Sequence, residues 1–317
     1  MSSLKMCDRK TEIEAAGKRD NAAGGNLPEG VSMTAYDVFP GITVIYNDIR
    51  AERFSGRRYE SGSIFEINHC RKGRIEYELA DGEDDEFRYL APGDLSISCR
   101  NDFREEAYFP LHYYQGITIL IDTGQTPGCL SCFLDDVEVH PKLLMKKFDN
   151  NGRGYITRSN ESIEHIFSEL YSVPEEIKKG YLKVKILELL LFLSAMEPEA
   201  AEETKMVSAA HARLAKDICR YLTERMDRKV TLDMLAETFH VSATLIKTCF
   251  KAVYGVSVYS YIRTQKMEKA AVMLRETEMQ ITEIAGALGY DNSSKFAKAF
   301  KDIQGVTPGA YRKKQSL

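Results

Sequence analysis

Hydrophobic and polar positions divide the chain into one part with strand-like alternation and two parts with helical spacing. Between about Val38 and Asp122, short segments rich in Ile, Val, Phe and Tyr are separated by glycines and charged turns. The segments that predict β-strands are GITVIY (41–46), SIFEINH (63–69), RIEYELA (74–80), FRYLA (87–91), DLSIS (94–98) and YQGITILI (114–121). This rhythm is typical of an antiparallel sandwich or barrel. We therefore predict a β-barrel domain over residues 31–140.

Helical spacing begins after the predicted barrel. Apolar residues between Pro141 and Met196 recur every three or four positions, which predicts two or three amphipathic helices over 141–196. One stripe either covers the barrel or pairs with a second copy of the chain, and it consists of Leu182, Ile186, Leu189 and Leu193. Residues 1–30 are polar without periodicity and are interpreted as a mobile tail. Residues 197–207, acidic and containing Pro198, are interpreted as a linker.

Residues 208–317 contain an internal repeat with a period near fifty. The pairs separated by 50 positions are Ile246 and Phe296, Phe250 and Phe300, Gly255 and Gly305, and Tyr261 and Tyr311. Upstream, Leu235 matches Ile284 and Ala236 matches Ala285 at a separation of 49, so one residue is gained between the blocks. Each copy then reads as a short helix (232–239 and 282–288), a tight turn and a second helix (243–252 and 293–302). This is the pattern of a helix-turn-helix, and Ser242 and Asn292 suit the N-cap position of the second helices.

The second helix of each copy offers polar side chains on one face. An α-helix fits the major groove of DNA, where hydroxyl and amide groups read base edges and lysine pairs with phosphate. The predicted DNA-binding residues are Ala243, Thr244, Lys247, Thr248 and Lys251 in the first copy, and Asn292, Ser293, Ser294, Lys295, Lys298 and Lys301 in the second. The helix between them, about 259–275, spans roughly 25 Å. That length suits two recognition helices about one DNA turn apart, so double-stranded DNA is the predicted partner, contacted in two adjacent major grooves.

Charge is unevenly distributed and supports this partner. The whole chain has a formal net charge of -4, but residues 208–317 hold 18 Lys and Arg against 11 Asp and Glu. The rest of the chain holds 25 against 36. A basic C-terminal part on an acidic body favours a polyanionic partner for that part.

The C-terminal residues resemble the DNA-binding domain of AraC/XylS-type transcription regulators over 213–314. The segments that carry the resemblance are LAETFHVS (235–242), FKAVYGV (250–256), YIRTQKMEKA (261–270), ITEIAGALGYDN (281–292) and FAKAFKDIQGVTPGAYR (296–312). Lys295 stands where this family commonly has Tyr, and the first recognition helix has few Arg and Gln residues. These two departures from the family pattern bear on which bases the domain would contact, and not on its fold. LAPGD (90–94) before a strand resembles the cupin-like sensing domain of the family.

The resemblance implies a multidomain α+β chain. Its parts are a cupin-like N-terminal β-barrel, a helical dimerisation segment and an all-α double helix-turn-helix. It also implies a homodimer, modulation by a small-molecule effector, and RNA polymerase as a partner if the protein is an activator. Strand aromatics and nearby polar groups would suit a small organic effector, although strand aromatics usually pack in a core. The candidate effector residues are Phe65, Arg71, Tyr77, Arg88, His112 and Tyr114.

The sequence patterns that could indicate a metal or catalytic site are incomplete. His69 and His112 lack the partners that a cupin metal site needs, so each is interpreted as an ordinary histidine. Cys129 and Cys132 form a C-x-x-C without a second pair. Residues 149–160 imitate a calcium loop but place Arg153 and Asn160 at ligand positions, which favours a turn between helices. We therefore predict no metal, no cofactor and no enzyme activity. The alternatives are a cupin-type enzyme with an appended helical domain, and a scaffold whose helical repeats bind protein.

Composition favours a cytoplasmic protein. Hydrophobic residues make up 44% and charged residues 28%, as in ordinary globular chains, and no apolar run approaches the roughly 20 residues of a membrane span. The first 20 residues carry charges where a signal peptide would be apolar. Seven scattered cysteines are typical of reduced thiols. No membrane partner is expected.

Overall fold

The structure is a computed structural model, and it describes most of the chain. The described residues are 18–20, 27–55, 63–78, 86–99, 106–130, 139–148, 154–198 and 206–315. They form two compact units, which are treated separately: the first holds most of the described residues before 199, and the second holds those from Met206 onward. Most of the predicted tail, most of the predicted linker, Cys132 and residues 149–153 lie outside the described residues.

The first unit is built from antiparallel strands in two sheets. Its strands are β1 (Lys18–Asp20), β2 (Val31–Phe39), β3 (Ile42–Ile49), β4 (Arg53–Ser55), β5 (Ile64–Gly73), β6 (Ile75–Glu78), β7 (Glu86–Leu90), β8 (Asp94–Cys99), β9 (Glu106–Tyr108), β10 (Tyr114–Asp122) and β11 (Tyr155–Arg158). The larger sheet has the order β1-β2-β3-β10-β5-β8-β11, and the strands β7-β6-β9-β4 lie in this order in the other. The predicted strand segments all overlap observed strands.

Three helices cover one face of the larger sheet. They are α1 (Pro141–Phe148), α2 (Glu161–Leu170) and α3 (Lys178–Ala195). Alternation along β5 and β10 directs Phe65, Ile67 and Ile119 into a core that these helices complete with residues such as Phe167. The stripe formed by Leu182, Ile186, Leu189 and Leu193 is at most 1% exposed in this same core. Of the two roles considered for that stripe, it therefore covers the sheet.

The opposite face of the larger sheet packs against the second sheet. Ile49, Cys70 and Tyr114 from the larger sheet share a buried cluster with Ile75 and Leu90 from the smaller one. The sequence predicts a closed barrel, whereas the described residues form two separate sheets that pack face to face. In the part of the chain that the structure describes, the larger sheet runs from edge strand β1 to edge strand β11, and no pairing closes it. Side-chain packing joins the two sheets, because alternation fixes which face is buried without fixing which strands pair.

In the first unit, β1, β2, β4, β9 and β11 overlap none of the predicted strand segments, and two of them lie in a predicted tail or turn. Residues 155–158 were expected in a turn between helices, but they form β11, which pairs with β8 from Tyr155 opposite Ile97 to Arg158 opposite Asp94. Lys18–Asp20, within the predicted tail, pairs with β2. Both are short edge strands that receive their hydrogen bonds from a longer neighbour, so their own sequences need no strand-like pattern.

The second unit is almost entirely helical. Its elements are β12 (Met206–Ser208), α4 (Ala209–Thr223), α5 (Leu232–Phe239), α6 (Ala243–Tyr254), α7 (Val258–Glu276), α8 (Ile281–Ala287), α9 (Ser293–Gln304) and α10 (Pro308–Gln315). The helix pairs α5 with α6 and α8 with α9 are the two predicted helix-turn-helix copies. None of the described helices in either unit is long and apolar enough to cross a membrane.

The two halves of the second unit repeat the same packing. The rings of Phe250 and Tyr261 lie 5.5 Å apart edge to face, and those of Phe300 and Tyr311 lie at the same distance and a similar angle. Both second helices end at a left-handed glycine: the N–H groups of Gly255 and Gly305 donate to carbonyls four residues earlier at 2.9 Å. The repeat seen in the sequence is therefore a repeat of contacts.

The turn inside each helix-turn-helix uses one left-handed residue. His240 has φ 54° and Gly289 has φ 69°, and they occupy equivalent positions after the first helix. The next residue then donates to a carbonyl of that helix, Val241 to Ala236 at 3.1 Å and Tyr290 to Ala285 at 2.9 Å. The extra residue of the second copy lies beyond these matched bonds.

Gly289 and Gly286 provide a matched test of the second turn. A Cβ at Gly289 would lie 2.8 Å from the carbonyl oxygen of Asp227 and would have to adopt φ 69°, whereas a Cβ at Gly286, within α8, meets nothing. We expect Gly289→Ala to lower the free energy of unfolding by about 1 to 2 kcal/mol or more. Gly286→Ala should raise it by about 0.5 to 1 kcal/mol. Urea unfolding followed by circular dichroism measures both, and equal effects would contradict the assigned turn.

Candidate nucleic-acid interface

The first recognition helix, α6, presents a polar face. Thr244, Lys247, Thr248 and Lys251 are exposed and Ala243 is half-buried, while Ile246, Cys249 and Phe250 on the other side are buried. The Ser242 hydroxyl oxygen accepts the Leu245 backbone N–H at 3.1 Å and so caps the helix. The five residues predicted to contact DNA in this half therefore lie together on one accessible face.

The second recognition helix, α9, has the same arrangement with more lysine. Its predicted DNA-binding residues are all exposed: Asn292, Ser293, Ser294, Lys295, Lys298 and Lys301. Phe296 and Phe300 are fully buried on the opposite side and fix the rotation of the helix. The three lysines give this face its positive charge, which suits phosphate contacts.

Asn292 has a second role that limits what it offers to a base. Its Oδ1 accepts the backbone N–H groups of Ser294 at 2.8 Å and Lys295 at 3.1 Å, which caps α9. A carbonyl oxygen that already accepts two hydrogen bonds has little capacity for another. Asn292 Oδ1 is therefore largely committed to capping α9.

Helix α7 holds the two halves together through contacts that the sequence did not reveal. Arg263 Nη2 on α7 lies 2.5 Å from Asp302 Oδ2 on α9. Lys266, only 8% exposed, donates to the Arg228 carbonyl oxygen at 3.3 Å and lies 5.8 Å from the Tyr290 ring centroid. Burial lowers the pKa of Lys266. Since Gly289 contacts the same loop, the residues after α4 are joined to the second turn.

The candidate effector residues of the first unit do not form one site. Tyr77 and Tyr114 share the buried cluster between the sheets, but Phe65 lies in the core on the helix side. Arg88 is buried and donates to the Gly154 carbonyl oxygen at 3.0 Å. The two remaining candidates are exposed: Arg71 lies 4.5 Å above the Tyr171 ring, and His112 lies in the turn before β10. Residue type alone had selected groups from opposite faces of the sheet.

His69 joins β5 to α2. Its Nε2 lies 2.6 Å from Glu164 Oε2, its Nδ1 lies 3.4 Å from the Tyr171 hydroxyl, and its ring stacks on Phe167 at 4.1 Å. Burial lowers the pKa of His69 by more than Glu164 raises it. In the described residues, no three His, Cys, Asp or Glu side chains are arranged to hold a metal ion. The histidine is therefore a packed strand residue with a carboxylate partner.

Comparison with known proteins places the resemblance in the second unit. A helix-turn-helix domain family matches residues 235–314. The regulatory protein SoxS of Escherichia coli strain K12 is 30% identical over 103 residues, which are 32% of this chain and 96% of SoxS. The F1 operon positive regulatory protein of Yersinia pestis is 34% identical over 96 residues, 30% of this chain and 32% of that protein. The HTH-type transcriptional regulator YtdP of Bacillus subtilis is 28% identical over 120 residues, 38% of this chain.

The matched region spans only 16% of the length of YtdP and about a third of the F1 regulator. The likeness to SoxS, by contrast, covers nearly all of that protein. Two helix-turn-helix halves with exposed lysine-bearing second helices, together with these relatives, define a DNA-binding transcription regulator. The chain belongs to the AraC/XylS family of such regulators.

The His69 contact predicts a pH dependence of stability. A histidine whose pKa is lowered by folding takes up its proton more readily when unfolded, so its stabilising contribution is present above the unfolded pKa of about 6.5 and lost as the pH falls below it. We expect the free energy of unfolding of the first unit to fall between pH 7 and 5, and His69→Gln to flatten that change. The control is His165→Gln, at an exposed histidine on α2, the helix that carries Glu164. An equal flattening by both variants would contradict the assignment.

Proposed function

We propose that this protein is a sequence-specific transcription regulator that binds two adjacent major grooves of double-stranded DNA. The observation that carries the proposal is the pair of equivalent, capped helices α6 and α9, each with its apolar side buried and its polar side exposed. Hydroxyl groups on those exposed sides suit base edges, and the lysines suit phosphates. The basic balance of residues 208–317 adds attraction to DNA.

The linking helix supports contact with two grooves. Helix α7 has 19 residues and therefore spans about 28 Å. One DNA turn is about 34 Å, so recognition helices held at either end of such a connection suit successive major grooves on one side of the duplex. The Arg263–Asp302 ion pair and the Lys266 contact tie this helix to both halves.

The remaining parts of the proposal concern regulation. We place the protein in the cytoplasm, assign it no enzyme activity, and assign effector sensing to the first unit. Transcription activation, with RNA polymerase as a partner, is supported by the name of the F1 operon positive regulatory protein, which this chain resembles in its DNA-binding part. An effector changes transcription only if it binds one arrangement of the protein better than another.

We also propose a homodimer formed through α3, by a face other than the predicted stripe. Ile177 at the N-cap of α3 is 54% exposed, and Val184 and Leu191 within the helix are 63% and 43% exposed. The three residues recur every seven positions. Exposed apolar residues at heptad spacing are typical of helices that pair with another helix. Pairing of this face between two copies would bury it and leave the core beneath α3 unchanged.

The DNA proposal is tested with DNA fragments selected by the purified protein at about 150 mM salt, where charge attraction is already screened. We expect a motif with two half-elements about ten base pairs apart.

On that DNA, Lys298→Ala should weaken binding to all sequences alike and reduce the slope of log affinity against log salt by about one, because one phosphate contact is lost. Fluorescence anisotropy measures the slope. Lys179→Ala, an exposed lysine of the first unit, is the control, and an unchanged slope for Lys298→Ala removes that residue from the interface.

The dimer is tested by placing a charge on the exposed face of α3. Val184→Asp should shift the purified protein from dimer to monomer in analytical ultracentrifugation, because a carboxylate buried between two helices is strongly unfavourable. The fold should persist, since Val184 is exposed within the chain. Val272→Asp is the matched control, since Val272 is an exposed valine of the second unit. A dimer that survives Val184→Asp would contradict pairing through this face.

A further inference from the structure

In the central strands of the larger sheet of the first unit, one face is apolar and the opposite face carries several polar side chains. On β5, β8 and β10 the residues that face the helices are buried Phe, Ile and Leu side chains, such as Ile67, Ile97 and Ile119. Most of the residues between them, with Asn47 of β3, lie on the other face and form what we call the polar row: Asn47, Glu66, Asn68, Ser96, Ser98 and Thr118. Leu120, which pairs with Glu66, is an apolar residue on the same face. Direct pairing of Thr118 with Asn68, and of Asn68 with Ser96, aligns this row across neighbouring strands.

Hydrogen bonds connect the polar row across three strands. Asn47 Nδ2 donates to Thr118 Oγ1 at 2.9 Å, and Thr118 Oγ1 donates to Asn68 Oδ1 at 2.6 Å. Asn68 Nδ2 then donates to Glu66 Oε1 at 2.6 Å. These three hydrogen bonds order four side chains. Each side chain donates to the next, and the last acceptor is the Glu66 carboxylate.

Two acceptors at the ends of this series of hydrogen bonds can each accept a further hydrogen bond. Asn47 is 5% exposed, yet its Oδ1 has no hydrogen-bond partner, and a buried acceptor without a partner is energetically unfavourable. Glu66 is half-buried, and no Lys, Arg or His among the described residues pairs with its carboxylate. Buried charges are ordinarily paired. A bound hydrogen-bond donor would therefore be favourable at both ends, and at Glu66 a positively charged donor would be favourable.

The surroundings favour a molecule with an apolar part. Along the same face of the sheet, the polar row gives way to the cluster that contains Cys70, Tyr77 and Tyr114. Burial raises the pKa of Tyr77 and of Tyr114, and the negative charge of Glu66 raises both further, so both hydroxyls stay neutral. The polar row thus carries one negative charge beside aromatic rings, which suits a cation and disfavours an anion.

We propose that the polar row is an effector site for a small organic cation, with an ammonium group at Glu66 and a second hydrogen-bond donor at Asn47. The two ends lie on β5 and β3, two strand spacings or roughly 10 Å apart across the sheet, and they are offset along it because Glu66 pairs with Leu120 and Asn47 with Gly116. The hydrogen-bonded side chains between them lean toward each other, and the arrangement suits a linear molecule. The ammonium donates to Glu66, the second donor satisfies Asn47 Oδ1, and the carbon chain lies toward Tyr77 and Tyr114. This inference rests on the proposed function, because it names the class of effector that the regulator senses.

The test uses four five-carbon probes that differ only in their end groups: 1,5-diaminopentane, 5-amino-1-pentanol, 1,5-pentanediol and glutarate. Isothermal titration calorimetry on the full-length protein should show binding of both amines, at least tenfold weaker binding of the diol, and none of glutarate. Glu66→Gln should weaken amine binding at least tenfold, while Glu29→Gln, at an exposed turn carboxylate, should leave it unchanged. Equal binding of diol and amines, binding of glutarate, or binding of no probe overturns the proposal.

A second measurement needs no probe. Glu66→Gln should raise the unfolding midpoint of the protein without added amine, because it removes an unpaired half-buried charge; a lower midpoint would assign Glu66 a structural role and overturn the proposal. The DNA affinity of the wild-type protein is measured in parallel without any amine. Loss of DNA binding there concerns the proposed function alone, whereas failure of the amine titration with DNA binding intact concerns only the effector site.

Discussion

The direction of each recognition helix depends on a single left-handed residue in the turn before it. His240 and Gly289 reverse the chain within a few residues, and the following N–H groups then bond back to Ala236 and Ala285. The cap residue comes next, and the buried Phe250 or Phe300 fixes the rotation of the helix that it starts. A different conformation at the turn would move the whole exposed face, because a helix transmits a change at its first residue along its full length.

The second unit could be predicted closely because its information is local and repeated. Helical spacing, caps and the fifty-residue repeat all point to the same boundaries, and the observed α5, α6 and α9 begin where they were expected. Contacts between the halves could not be predicted in this way. Nothing in the local pattern marks Lys266 as a buried cation or Arg263 as the partner of Asp302, since both depend on residues about forty positions away.

The first unit was predicted less completely, for a related reason. Alternation located β3, β5, β8 and β10 of the larger sheet, but strand pairing is not local, and β2 and the short edge strands β1 and β11 were missed. The candidate effector residues were chosen by chemical type, which does not tell one face of a sheet from the other. The signal for the polar row was present in β5, where Glu66 and Asn68 alternate with Phe65, Ile67 and His69, but a polar face of a strand is ordinarily interpreted as solvent-exposed.

The separation of packing and exposed sides on α6 and α9 has a consequence for the evolution of this protein. The buried residues Ile246, Phe250, Phe296 and Phe300 maintain the fold, and none of them lies on the exposed faces of α6 and α9. Substitutions on the outward face therefore change few internal contacts. Under the proposed two-groove binding, each half can change its base preference while the other retains its own, so a duplicated gene of this type can acquire a new target in small, individually tolerated steps.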